Sequence, residues 1–302
     1  MPVGRFAPTP SAELHLGNLR TALVAWLFAR SSASRFLLRI EDLDPASRRA
    51  GVAEDQIRDL ARLGLDWDGP IVRQSEHLDR MSDAIAALDA AGLVYPCFCT
   101  RREILEATVA PHGPVPDGAY PGTCRHLTAR QRAAREAENR PAALRLRAEG
   151  ETVTIVDRRH GPVTAVVDDL VLRRNDGVPA YNLAVVVDDA VQGVQEVVRG
   201  DDLLVSTPRQ AHLGRLLGLA PPTYVHVPLV VAPDGRRLAK RDGAVTLGDR
   251  LALGETVAQV VTRLAASLGL STGSPDGAAT PEELLAVFDP DALPTDAWVF
   301  DG

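Results

Sequence analysis

The sequence predicts an α/β fold in which one parallel sheet is built from two distant parts of the chain. Strand-like and helix-like stretches alternate through the first 94 residues, and the alternation returns after residue 180. Between these parts, a segment with all three cysteines and a Pro/Gly-rich loop interrupts the pattern. Alternating strands and helices are typical of a parallel sheet with helices on its faces. We therefore expect a split sheet with an insertion.

The individual elements follow from apolar periodicity and turn residues. In the first part, strands are predicted at 3–7 and 35–40, and helices at 16–30, 47–64 and 77–92. In the middle segment, a helical piece is predicted at 127–147, β-like runs at 152–156 and 162–174, and a hairpin turn at Asp176-Gly177. In the last part, strands are predicted at 194–199 and 225–231 and a helix at 206–217. The final 55 residues read as helical and then loose.

Composition limits the function classes. At 302 residues the chain can bury a large core, and its net charge of −7 argues against a uniformly basic nucleic-acid coat, although a local basic groove remains compatible. There is no signal-peptide pattern and no apolar run approaching the ~18–20 residues of a membrane span. Three cysteines are an odd number, which argues against a disulfide framework. These features predict a cytoplasmic protein with no membrane partner.

The tetrapeptide HLGN at residues 15–18 stands where a loop becomes the first helix. A helix N-terminus carries partial positive charge and free N–H groups, which attract phosphate. Gly17 would let a ligand approach the backbone, and His15 could donate a hydrogen bond to a phosphate oxygen. The alternative is an ordinary helix start with a surface histidine.

A second motif, DGRRLAKRDG at residues 234–243, follows the last predicted strand of the second half. A basic loop between glycines suits a mobile clamp on a polyphosphate, and Lys240 is a compact charge that can follow moving phosphates. The alternative is a solvated basic turn.

Together the motifs resemble the signatures of class I aminoacyl-tRNA synthetases, HIGH and KMSKS, which read HLGN and RLAKR here. Arg237 stands for the first Lys, Ala239 for the Ser and Asn18 for the last His, while Lys240 is retained. Over about residues 3–250, the chain also resembles the glutamyl-tRNA synthetase family in order, through GRFAPTPSAELHLGNLRTAL, LLRIEDLDPAS, VYPCFCT, YPGTCRH, VPAYNLAVVVDD, VVRGDDLLVSTPRQ and HVPLVVAPDGRRLAKRDGA. The resemblance implies a class I Rossmann-like parallel sheet, a zinc-bearing insertion and a short helical C-terminal region.

The resemblance also implies the site residues. Those assigned to glutamate are Arg5, Ala7, Thr9, Glu41, Tyr181 and Arg199. Those assigned to ATP, which would arrive with Mg²⁺, are His15, Gly17, Asn18, Arg237 and Lys240, with His15 and Lys240 as the catalytic pair. Arg5 and Arg199 would pair with carboxylates, since the guanidinium fork suits that geometry, and Glu41 would take the amino group. Tyr181 would add a hydroxyl contact. Which arginine meets the side-chain carboxylate is left open.

The cysteines predict a metal site. Thiolates at Cys97 and Cys99, two apart on an extended segment, can face one ion, and Cys124 from a later loop can close a tetrahedral zinc site. Resemblance to glutamyl-queuosine synthetases implies Tyr120 as the fourth ligand, with His126 and His112 as rivals. The zinc would be structural. The alternative is a set of buried free thiols.

The family resemblance divides the chain into four segments. They are the first Rossmann half at 1–94, the insertion at 95–180, the second Rossmann half at 181–245 and a helical tail at 246–302. An anticodon-binding domain is not expected, because the sequence ends near where it would begin in glutamyl-tRNA synthetases.

In length and in the YPGTCR and RGDDLL stretches, the chain resembles the shortened glutamyl-queuosine branch of the family. The branch implies a monomer that activates L-glutamate with ATP and transfers it to queuosine at the wobble position of tRNA(Asp). Three alternatives stay open: a truncated glutamyl-tRNA synthetase charging a tRNA 3′ end, a small-molecule nucleotidylyltransferase, and a non-catalytic tRNA-binding module.

Overall fold

The structure is a computed structural model that describes residues 3–108, 120–238, 243, 245–271 and 279–301. Its strands are β1 (Val3–Phe6), β2 (Arg35–Ile40), β3 (Val72–Arg73), β4 (Val94–Cys97), β5 (Ala143–Leu146), β6 (Thr152–Asp157), β7 (Gly161–Val166), β8 (Val171–Arg173), β9 (Glu196–Gly200), β10 (Thr223–Val227), β11 (Val230–Val231) and β12 (Trp298–Val299). Its α-helices are α1 (Leu16–Ser31), α2 (Val52–Arg62), α3 (Leu78–Ala90), α4 (Arg101–Thr108), α5 (Ala129–Glu136), α6 (Tyr181–Val191), α7 (Thr207–Leu216), α8 (Leu247–Ala252), α9 (Val257–Ala266) and α10 (Pro281–Leu285). Short 3₁₀ helices lie at Gln74–Glu76 and Asp201–Ser206.

The main sheet has the order β3-β2-β1-β9-β10-β6-β7. Every pairing in it is parallel except that of β6 with β7. The predicted parallel sheet is therefore confirmed. Strand β1 lies between β2 and β9, so the two distant parts of the chain meet there and the strand order reverses. In open α/β sheets, ligands bind at the carboxyl ends of the strands beside such a reversal.

The middle segment divides between two sheets. Strands β4, β5 and β8 form a separate antiparallel sheet, whereas β6 and β7 extend the main sheet. The predicted helix over 127–147 is wrong in its second half: α5 stops at Glu136 and β5 begins at Ala143. Pro141 explains the change, because the residue before a proline is pushed out of the helical region. The domain division at 94/95 and 180/181 stays a prediction.

Helix α1 is the centre of the larger core. Eleven of its sixteen residues are buried, and they lie around most of its circumference. A helix that is apolar on nearly all sides must be covered on all sides. Strands β1 and β9 cover one side, and α9 and α10 from the C-terminal region contact another. The C-terminal helices thus help fix the helix whose N-terminus opens on the site described below.

Two further local predictions can be compared with the structure, the Asp176-Gly177 turn and the strand at 225–231. The Asp176-Gly177 turn is present: the N–H of Gly177 donates to the carbonyl of Arg174 at 3.1 Å, and Gly177 has a φ of 89°. The predicted strand at 225–231 is two strands, because Pro228 separates β10 from β11. Among the described residues, no helix combines the length and apolar content that a membrane crossing requires.

Candidate active site

A cleft of about 440 Å³ opens at the carboxyl ends of β1 and β9. It is lined by every residue predicted to contact glutamate, namely Arg5, Ala7, Thr9, Glu41, Tyr181 and Arg199. It is also lined by the predicted ATP residues His15, Gly17, Asn18 and Arg237. Lys240 and Ala239 lie outside the residues that the structure describes. The fold thus brings two sets of predicted residues, distant in sequence, to one cleft.

His15 is the N-cap of α1. Its Nδ1 accepts a hydrogen bond from the backbone N–H of Asn18 at 3.2 Å, and the Asn18 Oδ1 accepts from the backbone N–H of His15 at 3.3 Å. This reciprocal capping satisfies two N–H groups at the helix start. Since Nδ1 accepts, the neutral ring carries its proton on Nε2. Burial, and then the nearby charge of Arg237, lowers the pKa of His15 to about 4.

Gly17 leaves room for the His15 ring. A Cβ at this position would lie 2.9 Å from His15 Cε1, 3.0 Å from His15 Nδ1 and 3.3 Å from Val230 Cβ. The first distance is shorter than carbon atoms tolerate, so any side chain here would displace the imidazole. The glycine is therefore required by the N-cap residue His15 and by Val230 of β11 on the other side.

A buried ion-pair network, which the sequence did not predict, lies at the floor of the cleft and beneath it. Arg5 donates from Nε and Nη2 to the two carboxylate oxygens of Asp189, at 3.2 and 3.3 Å. Arg39 donates from Nη1 to Asp189 Oδ1 at 2.7 Å and from Nη2 to Glu41 Oε1 at 3.3 Å. Burial would raise the pKa of Asp189, but Arg5 and Arg39 outweigh it and lower that pKa. A carboxylate pair, Asp188-Asp189, within an apolar helix was the available signal, because buried charges need partners.

Glu41 and Tyr181 line the cleft from two different parts of the fold. Glu41 follows β2 and is 8% exposed; burial raises the pKa of its carboxyl, against the opposing effects of Arg39 and Arg5. Tyr181 begins α6 and is 41% exposed, so its side chain lies at the entrance. A carboxylate below and a phenol at the entrance suit a small zwitterionic ligand.

Arg199 differs from the other two arginines of the floor. It is 5% exposed, its Nε donates to His226 Nε2 at 3.0 Å, and its Nη2 donates to Thr207 Oγ1 at 2.8 Å. Among the described residues, its Nη1 has no hydrogen-bond partner. Among the described residues, no carboxylate lies within ion-pair distance of it, whereas Arg5 is paired with Asp189. Arg199 therefore presents an uncompensated buried cation, which an anionic ligand would stabilise.

The second basic motif reaches the rim of the cleft. Arg237 Nη1 lies 2.8 Å from Asp202 Oδ2, and its backbone bridges Val231 at the end of β11. Asp202 belongs to the stretch RGDDLL and was also not predicted as a contact. This ion pair ties the start of the basic loop to the end of β9.

The three cysteines form a cluster in the middle segment. Their sulfur atoms all lie within 4.8 Å of one another, and Cys99 Sγ is 3.5 Å from Cys124 Sγ. Ligands of a tetrahedral zinc with bonds of about 2.3 Å are about 3.8 Å apart, so these thiols fit the ion. The Tyr120 hydroxyl lies 3.3 Å from Cys97 Sγ and 3.6 Å from Cys99 Sγ. The three cysteines could therefore hold a metal ion.

Of the two rival ligands, only His126 lies among the described residues. His126 is exposed and is not part of the cluster, and His112 lies outside the described residues. Tyr120 is buried, its hydroxyl accepts from the N–H of Cys124 at 2.8 Å, and Arg145 covers its ring at 3.7 Å.

Comparison with known proteins agrees with this geometry. The model of the family described as tRNA synthetases class I (E and Q), catalytic domain, matches residues 3–302. The chain therefore contains a class I synthetase catalytic domain. Its split parallel sheet, with the capped helix α1 at the point where the strand order reverses, is the fold of that domain.

The individual proteins that are similar to this chain show which branch of the family it belongs to. A glutamyl-Q tRNA(Asp) synthetase of Nocardia farcinica is 60% identical over 98% of this chain and 92% of its own length. One of Deinococcus radiodurans is 46% identical over 96% of this chain and 95% of its own. A crystal structure of a glutamate tRNA ligase from Elizabethkingia meningosepticum, in complex with its amino acid, has a TM-score of 0.80 and 26% identity over 99% of this chain and 67% of that one. The chain belongs to the glutamyl-Q tRNA(Asp) synthetase family of class I synthetases.

Proposed function

We propose that this protein activates L-glutamate with ATP and transfers the glutamyl group to queuosine at the wobble position of tRNA(Asp). The observation that carries the proposal is Arg199, a buried cation without a carboxylate partner among the described residues, in the same cleft as the phosphate-binding end of α1. The names of the relatives that cover nearly the whole chain support the acceptor.

The first step joins glutamate to ATP. The α-carboxylate of glutamate attacks the α-phosphate, and pyrophosphate leaves. In our proposal, Arg199 meets the side-chain carboxylate, Glu41 accepts from the ammonium group and Tyr181 adds a hydroxyl contact. Arg5 is already neutralised by Asp189, so it contributes a hydrogen-bonding surface more than a free charge.

The phosphates of ATP would lie over the start of α1. There the helix dipole, the Nε2–H of His15 and the basic loop with Lys240 oppose the charge that develops on them. Mg²⁺ would arrive with ATP. Gly17 allows the phosphates to approach, and Asn18 holds His15 by the reciprocal cap.

The second step transfers the activated group. A hydroxyl of the queuosine cyclopentenediol attacks the glutamyl carbonyl, and AMP leaves. The enzyme contributes mainly by holding the two reactants in position. We place the reaction in the cytoplasm with its tRNA substrate, and we propose that the protein acts as a monomer.

The metal is proposed to be zinc with a structural role. Cys97, Cys99, Cys124 and Tyr120 would hold it, and it would bind β4 to the loop that follows the insertion's first helix. We retain the four-segment division at 94/95, 180/181 and 245/246 as a proposal, with β6 and β7 joining the main sheet.

The decisive assay is ATP–pyrophosphate exchange with glutamate and without tRNA, followed by transfer of labelled glutamate to tRNA. Exchange with glutamate, and label on tRNA(Asp) that contains queuosine, is the expected result. Label on the 3′ end of tRNA(Glu) would contradict the proposed acceptor. Exchange that does not select glutamate would contradict the first step.

Lys240→Ala tests the second signature. We expect exchange to fall by about 100-fold or more, because a phosphate-stabilising charge is lost in the transition state. Arg236→Ala, which removes a charge from the same basic motif, is the control and should retain most activity.

A further inference from the structure

Three side chains form a buried chain of hydrogen bonds behind the cleft, namely Asp157, His226 and Arg199. Asp157 ends β6, His226 lies in β10 and Arg199 lies in β9. The strand register places them together, because Arg199 is the direct partner of His226 and Asp157 is the partner of Tyr224, two residues before His226. Among the described residues, β6 and β10 pair only through Asp157 and Tyr224, and this pairing brings Asp157 next to His226.

The donors and acceptors fix the state of the His226 ring. Arg199 can only donate, so its Nε–H bond of 3.0 Å requires His226 Nε2 to be an acceptor. The proton of the neutral ring is then on Nδ1, which lies 2.6 Å from Asp157 Oδ2. Burial lowers the pKa of His226, which keeps the ring neutral, although the bond to Asp157 opposes this.

Asp157 is itself held in place from several directions. Its Oδ1 accepts from the backbone N–H groups of Arg159 and His160, each at 3.0 Å, and its Oδ2 also accepts from the backbone N–H of His226 at 3.1 Å. Burial would raise the pKa of Asp157, but the bond to the His226 side chain, followed by the bonds from the backbone N–H groups of His160 and Arg159, lowers it. The carboxylate therefore stays ionised and orders the imidazole.

We propose that Asp157 and His226 are positioning residues that turn the Arg199 guanidinium so that Nη1 is left for the substrate carboxylate. The proposal rests on the proposed function, because it takes glutamate as the ligand of Arg199. Nε is engaged by His226 and Nη2 by Thr207, so Nη1 is the remaining corner of the fork. A carboxylate partner would cancel the charge of the guanidinium. His226 and Thr207 are neutral, so they hold the side chain and leave its charge in place.

A matched pair of variants separates positioning from bulk packing. His226→Gln keeps a polar atom near the Nε2 position that can accept from Arg199. His226→Asn keeps a polar group near Nδ1 for Asp157 but offers Arg199 no acceptor. In exchange assays we expect His226→Asn to raise KM for glutamate at least about tenfold, because a hydrogen bond to a charged group is lost. KM for ATP should change less than about twofold, and His226→Gln should remain close to wild type.

A second measurement uses the unaltered protein. The ¹⁵N shifts of the His226 ring should report a protonated Nδ1 and an unprotonated Nε2 at neutral pH. An Nε2–H tautomer, or equal glutamate KM values in wild type and His226→Asn, would overturn the positioning role. A wild-type protein with no glutamate-dependent exchange would instead count against the proposed function, while the tautomer measurement would still decide the hydrogen-bond chain.

Discussion

Arg39 Nη1 and Asp189 Oδ1 lie 2.7 Å apart beneath the cleft, and neither side chain has substantial contact with solvent. Asp189 also pairs with Arg5, and Arg39 also pairs with Glu41. One carboxylate on α6 therefore fixes side chains from β1 and β2 at the same time. The geometry of the proposed glutamate site depends on α6 even though only Tyr181 of that helix was expected to contribute.

Asp189→Asn should destabilise the protein strongly. The change leaves the buried guanidinium groups of Arg5 and Arg39 with Glu41, the partner of Arg39, as the one carboxylate still paired with either of them among the described residues. Breaking a buried ion pair in this way costs about 3–5 kcal/mol. The free energy of unfolding from urea titration checks this. Asp291→Asn is a matched control, because Asp291 pairs with Arg158 at the surface and is 74% exposed. Asp291→Asn should lower the free energy of unfolding by less than about 1 kcal/mol. Equal decreases in the two variants would refute the role given to the buried network.

Gly17→Ala should weaken ATP binding more than it weakens the fold. The added Cβ would meet the His15 ring at 2.9 Å and push it from its capping position. We expect Kd for ATP to rise by about tenfold, the effect of one lost hydrogen bond to a charged group, as measured by calorimetry. Gly214→Ala in α7 is the control, since among the described residues its Cβ would meet only Val186 Cγ1, at an ordinary 3.7 Å. Unchanged ATP affinity in Gly17→Ala would disprove the steric argument.

His15 should stay neutral well below pH 6. Its pKa is lowered from 6.5 to about 4, so the folded protein binds fewer protons than the unfolded chain between these values. Stability from this group is therefore lost as pH falls through that window and is complete above pH 6.5. An NMR titration of the ring should show a midpoint near 4. Arg237→Gln should raise the midpoint, because Arg237 is one cause of the shift; a wild-type midpoint above 6 would contradict the burial argument.

Cys99→Ser should abolish stoichiometric metal binding. Three thiolates and a phenol provide four ligands, and a structural zinc site with one thiolate replaced binds at least about tenfold more weakly. Metal analysis of the purified protein should give close to one zinc per chain for wild type and little for the variant. Tyr120→Phe distinguishes the fourth ligand: retained affinity would exclude the phenol. Ser75→Ala, far from the cluster in sequence, should keep the metal.

Sequence reasoning named residues that line the cleft but did not name the buried residues that support them. His15 was assigned from a short motif and Arg199 from the family resemblance, and both line the cleft. Asp189, Asp157 and His226 come from a helix and two strands, and nothing local says that they meet. Only the strand register makes His226 the neighbour of Arg199. Long-range pairing of this kind is what periodicity and composition do not encode.

The errors in the predicted elements have two different origins. The helix predicted over 127–147 ends at Glu136 and could not have continued through Pro141, which is a local signal that was available. The membership of β6 and β7 in the main sheet was not available, because it rests on Asp157 meeting Tyr224 across 67 positions of the chain. Local rules place elements along the chain, and tertiary contacts decide which sheet they enter.

The adjacency of β1 and β9 has a consequence for how the protein is made. Gly4 pairs with Glu196, so β9 must be synthesised before the cleft has its second wall. A nascent chain leaving the ribosome carries the helix start at His15 long before Arg199, and the loop that must close between them is long and entropically costly. ATP and glutamate therefore meet a competent cleft only after most of the polypeptide has been translated. If the proposed function holds, a partial chain that lacks β9 also lacks Arg199 and so lacks the proposed contact to glutamate.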